Sequence, residues 1–87
     1  MKIVEITDIV RKDVPIYYRR LYSGMAILEL MDKPVNTKLD FQIEHKPTGA
    51  TEIKISLLDT VDYPLVPLHK ELKNFIGALD SEGKLPN

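Results

Sequence analysis

Two segments in the middle of the chain alternate residue by residue, and the last third does not. In KLDFQIEH (38–45), Leu39, Phe41 and Ile43 are separated by Lys38, Asp40, Gln42 and Glu44. In TEIKISL (51–57), Ile53, Ile55 and Leu57 alternate with Glu52, Lys54 and Ser56. A period of two places the apolar set on one face of a half-buried strand and the charges on the other. KPTGA (46–50) lies between them, and Pro47 and Gly49 mark it as a hairpin loop. In PLHKELKNFIGALDSEG (67–83) the apolar residues Leu68, Leu72, Phe75, Ile76 and Leu79 fall on one helical stripe. Pro67 suits a first helical turn, and Gly83 suits a stop. Gly77 costs about 1 kcal/mol relative to alanine inside a helix, which predicts a close approach to the sheet.

Upstream, KIVEITDIV (2–10) reads as a strand with Val4, Ile6 and Val10 on one face and a bend near Asp8. MAILELM (25–31) has a single charge, Glu29, and suits a central strand. DKPVNT (32–37) supplies the turn into the next strand, with Pro34 and Asn36 as breakers.

The stretch VPIYYRRLYSG (14–24) fits two conformations. As a strand it alternates Tyr17, Arg19 and Leu21 with Ile16, Tyr18, Arg20 and Tyr22, so each face holds an arginine. A guanidinium on a covered face is costly unless paired. As a helix, Asp13 caps, Gly24 stops, and Val14, Tyr17, Tyr18 and Leu21 form a stripe that leaves both arginines outside. The aromatic content favours the strand, and three tyrosines make a poor short helix. The strand gives an α+β fold, ββββα, in which a four-stranded antiparallel meander carries one C-terminal helix on one face. The alternative, with 14–23 helical, is βαβββα.

The 87 residues correspond to a single small domain, 1–87, with a thin core. A hydrophobic share of 44% and a net charge of −1 argue against disorder and against general attraction to phosphate or anionic lipid. The absence of cysteine excludes disulfides, thiolate metal sites and cysteine nucleophiles. Charges at Lys2, Glu5, Asp8, Arg11 and Lys12 break any apolar leader. No segment reaches the roughly 18 apolar residues of a membrane span. The expectation is a cytoplasmic protein with no membrane partner.

One local cluster stands out. Arg11, Lys12, Tyr17, Tyr18, Arg19, Arg20 and Tyr22 form a candidate partner or nucleic-acid surface, and from Arg11 to Arg20 four cations face one anion, Asp13. Exposed tyrosines stack on unpaired bases, and arginine contacts phosphate. The competing expectation is that the tyrosines cover core edges and the arginines pair with acids such as Glu29. His45 and His69 lie too far apart in sequence for a metal pair and fit solvated or capping roles. Asp59, Asp62, Asp80 and Glu82 fit turn and cap chemistry. Ser23 lacks the Gly-x-Ser-x-Gly frame, and no glycine-rich phosphate loop is present. LDTVDYPLVPL (58–68) is an apolar, proline-stiffened crossover that can double as a contact. These features imply no catalytic residues, no metal and no small-molecule cofactor. The expected function is a non-enzymatic interaction or adaptor-type protein that self-associates through its sheet as a homodimer or binds a protein partner. The second expectation is single-stranded nucleic-acid binding.

Overall fold

A computed structural model describes residues 1–86. Four antiparallel strands, β1 (Lys2–Lys12), β2 (Arg19–Leu30), β3 (Lys33–His45) and β4 (Thr51–Leu57), form one sheet in the order β1-β2-β3-β4. Helix α1 (Leu65–Ser81) follows and lies against β4 and β1. The ββββα order is therefore the fold. Residues 14–18 are neither strand nor helix, and the helical alternative is excluded because β2 begins at Arg19.

Strand β2 runs through Gly24 into the MAILEL segment without a break. A Cβ at Gly24 would come within 3.1 Å of Ile6 Cγ2 and 3.3 Å of the Thr7 carbonyl, so glycine lets β1 approach. Strand β1 shifts register between Ile3 and Glu5 and again between Thr7 and Val10, and Asp8 takes φ 53°. These bulges change the phase of the strand. Ile3, Ile6 and Ile9 therefore pack on the core, while Val4 and Val10 stay exposed, which corrects the period-two assignment.

The expected turn at 32–37 is shorter than its composition implies. Met31 and Asp32 alone connect β2 to β3, both at positive φ, as a tight hairpin requires. Pro34 lies within β3, opposite Glu29. Its missing N–H points to the side where β4 does not reach, so no ladder bond is lost.

Leu68, Leu72 and Ile76 of α1 are fully buried over Tyr22, Ala26, Leu28, Leu39, Phe41 and Ile43 of the sheet. The helix starts two residues earlier than its stripe suggests, but Pro67 still falls in the first turn, where N–H groups have no helical acceptor. Gly83, at φ 69°, closes the C-terminus, with its N–H donated to Asp80 O and the Lys84 N–H to Leu79 O. Gly77 does face β4, although a Cβ there would meet only Ile53 Cδ1 at an ordinary 3.7 Å. The Thr37 hydroxyl is buried without a partner among the described residues.

Candidate functional site

The Tyr/Arg cluster is split by the pleat of β2. Successive side chains point to opposite faces, so Arg19 lies on the open face and Arg20 under the end of α1. Arg19 Nε donates to Glu44 Oε1 at 2.9 Å, its cross-strand neighbour on β3. Arg20 Nη2 donates to Asp80 Oδ1 at 3.0 Å, and Nη1 to the Tyr22 hydroxyl at 3.2 Å. Burial would lower the Arg20 pKa, but the bond to Asp80 and the neighbouring phenol outweigh it and leave it raised. Both arginines are thus paired with acids, though the partners are Glu44 and Asp80 rather than Glu29. Lys12 is held by Asp40 at 3.0 Å on the open face. Arg11 makes no ion pair among the described residues.

The tyrosines divide in the same way. Tyr22 is 1% exposed and stacks on Phe41 with ring centroids 5.0 Å apart. It belongs to the core, which corrects its place in the candidate surface. Tyr17 is 96% exposed and Tyr18 44%. Their rings meet edge to face at 6.0 Å, and the Arg19 guanidinium lies 5.4 Å from the Tyr18 ring centroid. The Tyr18 carbonyl accepts the His45 N–H at 2.8 Å, which ties this loop to the end of β3. Tyr17, Tyr18, Glu44, His45, Lys46 and Pro47 line an open groove of about 610 Å³ at this end of the sheet. Tyr17, Tyr18 and Arg19 therefore form one exposed unit, and Arg20 and Tyr22 lie outside it.

A second surface, for which the sequence carried only the alternation of β4, is the outer edge of that strand. Leu58 donates its N–H to Lys38 O, and Lys46 to Ala50 O. By antiparallel alternation the even-numbered residues of β4 turn their backbone groups toward β3. Thr51, Ile53, Ile55 and Leu57 turn theirs outward, and among the described residues no hydrogen bond beyond the ladder reaches them. The β3–β4 register is unbroken, in contrast to β1. Beside this edge stand Leu58, Leu65 and Val66, which are 56%, 57% and 83% exposed. On its open face, Glu52 is bonded by Lys46 and lies 4.0 Å from Lys54. The hydrogen bond and charge of Lys46, then the charges of Lys54 and Lys73, hold the Glu52 carboxyl below its ordinary value of 4.5 and raise Lys46. This cluster is charged above pH 4.5 and dissolves as pH falls through the depressed value.

A protein-family model matches residues 1–81. The chain belongs to the BB_0187 family. No curated protein and no solved structure matches it. In this member of the family the remaining sequence candidates resolve individually. Among the described residues no three His, Asp or Glu side chains gather as a metal site, and no helix is long and apolar enough to cross a membrane. Asp59 accepts the Lys38 N–H at 2.9 Å, beyond the end of β4, which is the turn chemistry expected of it. Asp80 instead anchors Arg20, and no spacing signal could have found that pair across 60 residues. In the 58–68 segment Val61 is buried and Tyr63 packs on the core, while its two ends remain exposed.

Proposed function

We propose that this chain is a cytoplasmic, non-enzymatic interaction protein that self-associates through its sheet. The observation that carries the reading is the unpartnered, unbroken outer edge of β4 beside exposed Leu58, Leu65 and Val66. An edge of this kind is a template for another strand. The opposite edge is blunted by two bulges, so pairing is directed to one side. Sedimentation velocity tests the reading. The wild-type chain should run as a dimer, and Thr51→Pro as a folded monomer. Thr51 is exposed and its N–H faces outward, so proline there removes edge pairing and leaves the β3 ladder intact. A wild-type monomer at high concentration would remove self-association.

A second reading rests on the 96% exposure of Tyr17 beside Tyr18 and Arg19. These groups can stack on unpaired bases, and Arg11 supplies an unpaired cation. Pairing of Lys12, Arg19 and Arg20 with acids reduces the charge offered to phosphate. The reading predicts binding to labelled single strands that weakens steeply with salt and is lost in Tyr17→Ala/Arg11→Ala. No binding at low salt would sink it.

A further inference from the structure

We propose that two copies of this chain pair β4 with β4 antiparallel about a two-fold axis at Ile53, so that Glu52 of each copy faces Lys54 of the other. This pairing presupposes self-association through the sheet and fixes how it occurs.

The backbone limits the choice. Only Thr51, Ile53, Ile55 and Leu57 present outward N–H and C=O groups, and these must meet the same set on the second copy. The apolar side chains of both copies must also stay on the helix side. Symmetric registers satisfying both conditions centre on Glu52, Ile53, Lys54 or Ile55.

Charge separates them. An axis at Lys54 sets Lys54 against Lys54 of the second copy and Glu52 against Ser56. An axis at Glu52 opposes two carboxylates. An axis at Ile55 places Glu52 against Leu58 and Lys54 against Ser56. Only the axis at Ile53 faces opposite charges, and it does so twice. Like charges directly opposite destabilise a ladder, and opposite charges support it. The two ion pairs also fall at non-hydrogen-bonded positions, where cross-strand Cα atoms approach to about 4.5 Å and side chains are closest. Lys54 is suited to this role, since its contact with Glu52 of its own strand is at the 4.0 Å limit and its side chain is 57% exposed.

The same register carries the second copy past the apolar flank. Continued beyond Thr51, it brings Gly49 of one copy opposite Leu57 of the other and Thr48 opposite Leu58. The hairpin loop then lies over the groove formed by Ile55, Leu57, Leu65 and His69. Side chains left half-exposed in one copy become covered in the pair.

The experiment uses charge reversal and cysteine placement, and the absence of native cysteine makes both clean. Glu52→Lys and Lys54→Glu should each weaken the dimer by roughly tenfold or more, because both contacts become repulsive. An equimolar mixture of the two should restore dimers, since each then meets its opposite charge. An equimolar mixture of Glu52→Cys and Lys54→Cys chains should oxidise to a cross-linked heterodimer, while neither cross-links alone, its own pair being diagonal at about 7–8 Å. Cross-linking of Lys54→Cys alone would overturn the Ile53 axis while leaving sheet-edge association standing. A dimer indifferent to both charge reversals would do the same. A wild-type monomer at high concentration, with no cross-linking in any variant, would overturn both. Far-ultraviolet circular dichroism verifies that each variant is folded, and all of these positions lie on the open face away from the core.

Discussion

Two neighbouring pieces of β2 and its approach, Tyr17–Arg19 and Arg20–Tyr22, have almost the same composition and opposite fates. The first piece is outside: Tyr17 and Tyr18 are open to solvent, and Arg19 lies on the open face with Glu44. The second is inside: Tyr22 is stacked on Phe41, and Arg20 is fastened to the C-terminal turn of α1 through Asp80. The difference arises from one residue of phase. In a strand, consecutive side chains point to opposite faces, so two adjacent arginines must be satisfied by two different neighbourhoods. The open face provides a cross-strand carboxylate. The covered face has none on the sheet, and the helix end supplies it instead. Arg20 thereby also fixes where α1 ends over the sheet, in the row that holds Ile43 and Ile53.

The comparison predicts a graded series of stability losses. Tyr22→Ala should be the most severe, at about 3–5 kcal/mol, the range for removing a buried aromatic ring. Urea denaturation measures it, and a loss below about 1 kcal/mol would mean that Tyr22 is not the core residue its burial indicates. Asp80→Ala should cost about 1–2 kcal/mol, because the Arg20 guanidinium keeps only the Tyr22 hydroxyl. The double variant Arg20→Met/Asp80→Leu should recover most of that loss, since replacing both partners of a partly buried pair removes the unpaired charge. A double variant as unstable as the sum of its single changes would show that the pair is not coupled. Glu44→Ala should cost under about 1 kcal/mol, because its partner Arg19 returns to water on the open face. Equal losses for Glu44→Ala and Asp80→Ala would erase the distinction between the two halves.

Much of this arrangement was legible in the sequence, and the reasons for the remainder are specific. The alternation in 38–45 and 51–57 identified β3, β4 and their inward faces, because period two maps directly onto the pleat. The stripe from Leu68 to Leu79 identified α1 for the corresponding reason. The face of β1 was not legible, since Ile3, Ile6 and Ile9 share a side only after two bulges, and a bulge leaves no fixed spacing in sequence. The Met31–Asp32 turn was hidden because neither residue is glycine and Pro34 suggested a longer loop. For the site, alternation showed that the arginines must part company. It did not name Glu44, which needs the hairpin register, or Asp80, which needs the docked position of a helix 60 residues away. The β4 edge became visible only with the strand order, because a strand's sequence does not say whether it has one neighbour or two.

The smallest effect on stability belongs to the outermost residue and tests the comparison from the other side. Tyr17 is 96% exposed and touches the fold mainly through the edge of Tyr18, so Tyr17→Ala should change stability by under about 0.5 kcal/mol. For a domain of this size that is a shift in melting temperature of no more than about 4 °C. A side chain that contributes so little to folding yet exposes a full aromatic ring next to Tyr18 and Arg19 is available for contact with something else. The same variant, tested against labelled single strands at low salt, should therefore lose binding while keeping its melt. If Tyr17→Ala instead lowered the melting temperature as Tyr22→Ala does, the loop would be part of the folding unit, and the division between an outer and an inner half of this segment would fail.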